Sequence, residues 1–333
     1  MEQNARIRLA HGGGGTLMQQ LIDQELRRLY ADPQQLLHDA ASLTLPPGQL
    51  AFTTDSYVVQ PLEFPGGDIG SLAITGTAND LAMAGARPLH LSVALILEEG
   101  LPLSLLRRVV GSMVTASRAC GLTIVTGDTK VVERGKADGL FINTSGIGVV
   151  EASQPIHPSR IAAGDQLLVS GDLGRHGVAI LAARHGLQLD PPVLSDCAPL
   201  WPLVQQLLQR GARIHCLRDL TRGGLASALQ ELALAAGLTL QIEEERIPVI
   251  EPVARCCDLL GFEPLHLANE GRFLAVVPAE SLDRVAPLLE AWGGSWIGSV
   301  LPEMGEAPVL LRTAYGSSRV LRPLSGELLP RIC

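Results

Sequence analysis

Residues 66–88 read GGDIGSLAITGTANDLAMAGARP. The stretch opens on paired glycines, offers Asp68 as a helix cap, and closes on Gly85 and Pro88, so the segment between predicts one helix. At 100° per residue Ile69, Leu72, Ala73, Gly76, Asp80 and Met83 share a stripe, while Ile74, Ala78 and Leu81 lie opposite. Such a helix is apolar nearly all round and belongs inside a layered domain. Asp80 then stands in the middle of a buried face. A carboxylate there is expensive unless it is paired, hydrogen-bonded or bound to a cation. A salt bridge to Arg87 is the plain reading.

Alternating signals flank this helix. LAFTTDSYVV, LHLSVALIL, LTIVTG and GLFINTSGIGVV predict strands, and SLLRRVVGSMVTASRAC predicts a second helix. Upstream, Met18, Leu21, Ile22, Glu25, Leu26 and Leu29 predict one amphipathic helix after a glycine-rich start. The Pro-containing stretch EASQPIHPSRIAAGD separates this half from a second mixture. There QLLVSG, RIHCL and segments 239–242 and 272–277 predict strands. Segments 177–186, 198–210 and 223–237 predict helices. The organisation expected is an N-terminal segment 1–40, an α/β (α+β) domain 41–154, a second domain 155–315, and a mobile tail 316–333.

Composition excludes several classes. The 333 residues are 47% apolar with a net charge of −8, which describes a folded globular chain without the basic surface that nucleic acid or anionic membranes require. No apolar run reaches membrane-span length, and the N-terminus lacks a secretion signal. The six cysteines form no CxxC pair, which fits a reducing cytoplasm. Cys120, Cys216 and Cys256 read as core. Cys333, the last residue of GELLPRIC, does not, and is expected to be uncovered.

Acidic residues recur at strand exits: Asp55 after LAFTT, Asp128 after LTIVTG, Asp219 after RIHCL. Each alone reads as a turn or cap. Together with Asp80 they would suit Mg²⁺, which takes oxygen ligands and shares them with phosphates, and so point to ATP or another polyphosphate. PGGDIG (Gly66, Gly67, Asp68) and TRGGL (Thr221, Arg222) offer N–H groups at helix starts, with Arg222 as a phosphate clamp. Neither is a Walker motif. Lys130 in GDTK and Glu270 in ANEG are titratable residues in glycine-flanked loops, for which solvated surface is the plain alternative.

HGGGGTLMQQLI, TTDSYVV, the 66–88 stretch, LILEEGLP, GDTKVV, FINTSGIG, RDLTRGG, ANEG and the terminal PRIC run in order from about residue 11 to 333. Together they resemble the HypE carbamoyl dehydratases of hydrogenase maturation, a family of the PurM-like ATP-binding superfamily. The resemblance implies two PurM-like domains, with the N-terminal ones pairing in a homodimer. It implies a carbamoyl group received on Cys333 from HypF, dehydrated with ATP to a thiocyanate, and passed as cyanide to iron on HypC–HypD for a [NiFe]-hydrogenase. It further implies Asp55, Asp80, Asp128 and Asp219 as Mg-ATP aspartates, with Asp39 in HDAA as a further candidate. Asn79 and Thr129 join the nucleotide contacts. Glu270 becomes a proton acceptor and Lys130 a stabiliser of negative charge beside the thiocarbamate. Other members of the superfamily are the rivals. Selenophosphate synthetases need a reactive residue that HGGGG lacks, and thiamine-phosphate kinases need no terminal cysteine. A non-catalytic scaffold has no reason to keep buried charge.

Overall fold

The computed structural model describes residues 5–30, 38–305, 307–322 and 331–333. The segment Gly326–Pro330, where a hinge for the tail is expected, lies outside them. After a short helix α1 (Thr16–Leu21), β1 (Leu50–Tyr57) and the small hairpin β2 (Glu63–Phe64) and β3 (Gly67–Asp68) lead into helix α2 (Ile69–Met83). Then come β4 (Ala86–Glu98), α3 (Leu103–Ala119), β5 (Thr123–Val132) and β6 (Leu140–Val150). Strands β1, β6, β4 and β5 form a four-stranded sheet in that order, with only the β4–β5 pair parallel.

Helix α2 forms where the sequence places it. The Asp68 carboxylate accepts the N–H groups of Gly70 and Ser71, both at 2.8 Å, which satisfies two of the helix's orphan donors. Apolar residues on every side let it pack simultaneously on α3, β1 and β6. Each fully buried Ile or Leu contributes about 1.5–3 kcal/mol. Under it, the Tyr57 hydroxyl lies 3.2 Å from Thr77 Oγ1, which in turn bonds Thr144, so the polar groups in this apolar layer are answered. Among the described residues no helix covers the sheet's other face. Burial alternates along β1, and Phe52 is 69% exposed on the outer side.

The second half adds β7 (Gln166–Val169), α4 (Arg175–His185), α5 (Trp201–Gln209), β8 (Cys216–Asp219), α6 (Gly224–Ala236) and β9 (Leu240–Glu243). It continues with α7 (Glu251–Leu260), β10 (Phe273–Val277), α8 (Leu282–Ala291), β11 (Ser295–Val300), β12 (Val309–Arg312) and β13 (Ser318–Val320). Seven strands form one sheet, ordered β13-β12-β9-β11-β7-β10-β8. Alternate residues of β7 and β10 enter opposite cores. Leu167, Val169, Leu274 and Val276 pack with α6, whereas Leu168, Phe273, Ala275 and Val277 pack with α5 and α8. Covered on both faces, these strands read as continuous apolar runs.

Several expectations change. The helix over Met18–Leu29 is irregular: α1 passes into a wider turn at Ile22–Leu26 and a tighter one at Arg27–Leu29. Its Glu25 is buried because Arg107 clamps it with two hydrogen bonds. Strand β5 runs on through GDTK because β4 offers partners as far as Glu98↔Val132, so Asp128 and Lys130 lie within a strand, not a loop. Asp55 likewise lies inside β1. Part of the expected tail is ordered as β13, which pairs with β12. Above all, Cys333 is only 7% exposed and joins the apolar cluster beneath α2. The Cys333 carboxylate oxygen accepts from Val58 N–H at 3.3 Å, and the Arg331 carbonyl accepts from Gln60 N–H at 3.1 Å. Those paired backbone groups draw the chain end inward.

The α2–β1 contact is close enough to be tested. A Cβ built on Gly76 would lie 2.3 Å from the Tyr57 hydroxyl oxygen, which is itself buried. Ala is favoured over Gly in a helix by about 1 kcal/mol, but overpacking a full core costs about 1–3 kcal/mol. Gly76→Ala is therefore expected to lower the urea midpoint of unfolding. An unchanged or raised midpoint would show that β1 can move away from α2.

Candidate active site

Helix α2 packs against β8 of the second sheet, and charged residues of both halves converge there. In β1, residues Thr53, Asp55 and Tyr57 face α2, and Thr53 Oγ1 donates to Asp80 at 2.8 Å. Arg87 does not answer Asp80; it pairs with Glu151 at 2.6 Å. From the other half, β8 ends on Asp219, opposite Phe273 of β10. The loop entering β10 thus passes the exit of β8 and delivers Glu270. Backbone bonds hold it there: Asn269 N–H to Leu220 O at 2.9 Å and Leu220 N–H to Arg272 O at 3.0 Å. The turn after Asp219 carries Thr221 and Arg222.

These carboxylates feel one another. Burial, then Asp219 and Asp55, push Asp80 up to about 6, against the Thr53 hydrogen bond. Asp219 is raised by burial and by Asp55, with Arg218, Thr221 and Arg222 opposing. Glu270 is raised well above the usual carboxylate range by burial, Asp196, Asp219 and Asp55. Its Oε1 is buried without a hydrogen-bond partner. A low-dielectric cleft holding this much like charge has an unmet demand for cations or protons.

Cys333 enters the same cleft. The Arg222 guanidinium lies 3.3 Å from its sulfur. Burial, with Glu270 adding, pushes the thiol up to about 12, while Arg222 pulls the other way. Arg222, expected on a phosphate, thus serves the terminal sulfur in this state.

Other expected residues stand differently. Asn79 spends its amide on the protein, donating to Ala198 O at 3.1 Å and Glu270 O at 3.2 Å and accepting from Leu200 N–H at 2.8 Å. It fixes the Glu270 loop. Gly66 adopts φ 92°, and a Cβ there would meet Ser195 N at 2.7 Å. Gly67 lies against Phe64, so both glycines have a packing reason. Thr129 is buried, its N–H 2.8 Å from Asp128 Oδ1.

Asp128 and Lys130 pair at 3.0 Å on the outer face of β5. Asp55 lies on the inner face of β1, at the opposite edge, with β6 and β4 between. Three strand spacings of about 4.8 Å separate them. One chain therefore does not gather Asp128 and Lys130 with Asp55, Asp80, Asp219, Glu270 and Cys333. Asp39 is exposed. Among the described residues no three His, Cys, Asp or Glu side chains are grouped so that they could hold a metal ion by themselves.

Two site residues escaped the sequence reading. Asp196 accepts from Glu270 N–H at 3.2 Å and Gly271 N–H at 3.3 Å, setting the loop and adding negative charge behind Glu270. His176, fully buried at the start of α4, lies 2.8 Å from the Ile332 carbonyl. Both sit in segments without a recognisable spacing, and neither announces itself by composition.

Two family models match the chain: the N-terminal domain of AIR synthase related proteins over residues 37–150 and their C-terminal domain over 162–309. A carbamoyl dehydratase HypE of Rhodobacter capsulatus is 48% identical over 338 residues, covering 99% of each chain. The carbamoyl dehydratase HypE of Escherichia coli K12 is 45% identical, covering 98% of this chain and 99% of that one. A solved structure of the maturation protein HypE in complex with ATP matches with a TM-score of 0.93 at 45% identity, covering 98% of this chain and 99% of that chain. A chain of a HypE–HypF complex matches with a TM-score of 0.80 at 41% identity, covering 93% of this chain and 100% of that chain.

The crowding of carboxylates has a consequence for stability. Because Asp80 titrates near 6 when folded and near 3.8 otherwise, its ionisation opposes folding as pH rises through that window. Asp80→Asn should therefore stabilise the ligand-free protein at pH 8 by about 1–3 kcal/mol, at about 1.4 kcal/mol per pKa unit, and change little at pH 4. Thermal unfolding across this range measures it. A pH-independent difference would mean that Asp80 is not strained by its charge.

Proposed function

The chain belongs to the HypE carbamoyl dehydratase family, built on the fold of AIR synthase related proteins, and on that premise we propose that it uses ATP to dehydrate a carbamoyl group on Cys333 to a protein thiocyanate. The observation that carries this reading is the burial of the Cys333 sulfur 3.3 Å from the Arg222 guanidinium, in the cleft that holds Glu270.

The chemistry needs an oxygen to leave the carbamoyl carbon and two protons to leave its nitrogen. ATP supplies the phosphoryl group that lets the oxygen depart as phosphate, with ADP as the other product. Glu270 accepts one of these protons as the C≡N bond forms, and the departing phosphate carries the other. Its raised pKa makes its carboxylate a stronger acceptor than an ordinary one. Arg222 holds the sulfur and offsets negative charge developing beside it. Asp55, Asp80 and Asp219 would hold Mg²⁺ with the nucleotide's oxygens, and their mutual crowding fits that role. The metal would screen the phosphates during transfer.

Burial also separates loading from dehydration. A thiol pushed up to about 12 is a poor nucleophile, because the thiolate is the reactive form. Cys333 accepts its carbamoyl group outside this cleft, at HypF, and re-enters neutral. The existence of a HypE–HypF complex supports that partner. HypC–HypD as the cyanide acceptor follows from the family resemblance. The uncovered face of the four-stranded sheet, with Leu50, Phe52 and Ile96 exposed, supports pairing with a second copy. Asp128 and Lys130 lie on that face, so any part they play at a nucleotide runs through the partner copy.

Incubation with HypF, carbamoyl phosphate and ATP, followed by intact mass, tests the reading. A carbamoyl adduct on Cys333 that then loses one water is expected, and Cys333→Ala should form neither. Absence of an adduct on the intact protein would overturn the carrier role. The dehydration rate should rise with pH as Glu270 ionises, through a pKa well above 4.5. Glu270→Gln should remove that limb and slow dehydration by about 10²–10⁴-fold, with ATP binding retained. A normal rate in this variant would assign the base elsewhere.

A further inference from the structure

His176 carries an imidazole that the chemistry above does not use. It sits in the first turn of α4, fully buried, with its ring edge-on to Phe64 at 5.4 Å between centroids. Nε2 lies 2.8 Å from the Ile332 carbonyl oxygen and Nδ1 2.9 Å from Ser195 Oγ. A carbonyl oxygen can only accept, so Nε2 bears the proton and donates. Burial lowers the ring's pKa and keeps it neutral. Nδ1 therefore keeps its lone pair and accepts from the Ser195 hydroxyl. Ser195 is itself fixed: its N–H donates to Pro65 O at 2.8 Å, and its Oγ accepts from Cys197 N–H at 3.1 Å. The tautomer is set from behind by a residue that two further hydrogen bonds hold in place.

The Ile332 carbonyl belongs to the peptide unit that bears Cys333. The carbonyl before it and the carboxylate oxygen after it are taken by the Gln60 and Val58 N–H groups. Those bonds hold one side of the chain end. The Arg184 guanidinium adds a solvent-exposed bond to the Arg331 carbonyl, and on the other side the Ile332 oxygen is held by a fully buried side chain, His176.

We propose that His176 is the positioning residue for the terminal cysteine: its Nε2–H fixes the last peptide plane and so aims the Cys333 sulfur at Arg222 and Glu270. It touches no reacting atom. Its catalytic consequence rests on the reading of Cys333 as the carbamoyl carrier; the seating itself belongs to the resting chain.

Glutamine can place an amide N–H where Nε2 stood, whereas asparagine reaches only the Nδ1 position. The test is the rate at which iodoacetamide alkylates Cys333 in the full-length protein, read on the C-terminal peptide by mass spectrometry, beside the melting temperature and single-turnover dehydration. His176→Asn should raise alkylation about tenfold, the scale of losing one buried hydrogen bond, and should slow dehydration while ATP still binds. His176→Gln should restore both to within about twofold of the parent protein. Parent-like alkylation in the Asn variant would overturn the proposal. So would equal alkylation of the Gln and Asn variants at equally lowered melting temperatures, which would mark a packing role alone. If the Asn variant does not fold, Ser195→Ala, which frees the tautomer, should raise alkylation by a smaller factor; no rise would count against the proposal. Failure of the carrier reading is distinguishable, because it would abolish the carbamoyl adduct and leave the alkylation pattern intact.

Discussion

Like charge held out of water is the constraint on which the centre of this molecule depends. Asp80 reaches its place because α2 is apolar all round, and Asp219 and Glu270 reach theirs because β8 and β10 run antiparallel in register. Among the described residues Asp80 and Glu270 have no ion pair, and Asp219 has only a distant one, 4.0 Å from the Arg218 guanidinium. The cleft is therefore strained electrostatically until something positive or a proton arrives. The same strain that weakens the empty fold shapes the site toward polyphosphate with its metal and raises the basicity of Glu270. Stability and chemistry draw on one arrangement.

The fold was legible where local and global signals agree. Residues 66–88 carry a cap, an unbroken apolar surface and a glycine-bounded end, and α2 follows them closely. The strands of the second sheet also announce themselves, because both faces are covered and the runs are apolar throughout. Strand ends were misread at Asp55 and Asp128. Polar residues inside β1 and β5 look like exits, and only the long partners β6 and β4 keep those strands extended. Helices α7 and α8, the inner strands β11 and β12 and the edge strand β13 went unread.

At the site, residue types were legible but their sides were not. The motif resemblance brought forward Asp55, Asp80, Asp219, Arg222, Glu270 and Cys333, and the chain gathers them. It brought forward Asp128 and Lys130 equally, yet sheet order and pleat put that pair on the far face and edge. Residue order alone does not encode which face a strand residue takes once a bulge shifts the register, as one does between Leu91 and Ser92. Asp196 and His176 were invisible for another reason. Each acts through backbone groups of its neighbours, and such support leaves no spacing to recognise.

The burial of the cysteines has a consequence for chemical selectivity. Burial pushes Cys120, Cys216 and Cys257 up to about 12, and Cys197, hydrogen-bonded to Thr75, higher still. In its seat Cys333 matches them, so at rest none of these five sulfurs is an easy target. Cys216 and Cys257 lie within β8 and α7, Cys120 caps α3, and Cys197, in the loop before α5, is tied to Thr75 of α2. Cys333 is held by a few hydrogen bonds at a chain end. Withdrawing those last residues returns one thiol to water and to ordinary acidity while the rest stay as they were. Cys256 is buried too, with its pKa raised by burial, so an electrophile that meets the native protein then finds one exposed sulfur. That discrimination needs no recognition of the residue itself, only a difference in how each sulfur is kept from solvent.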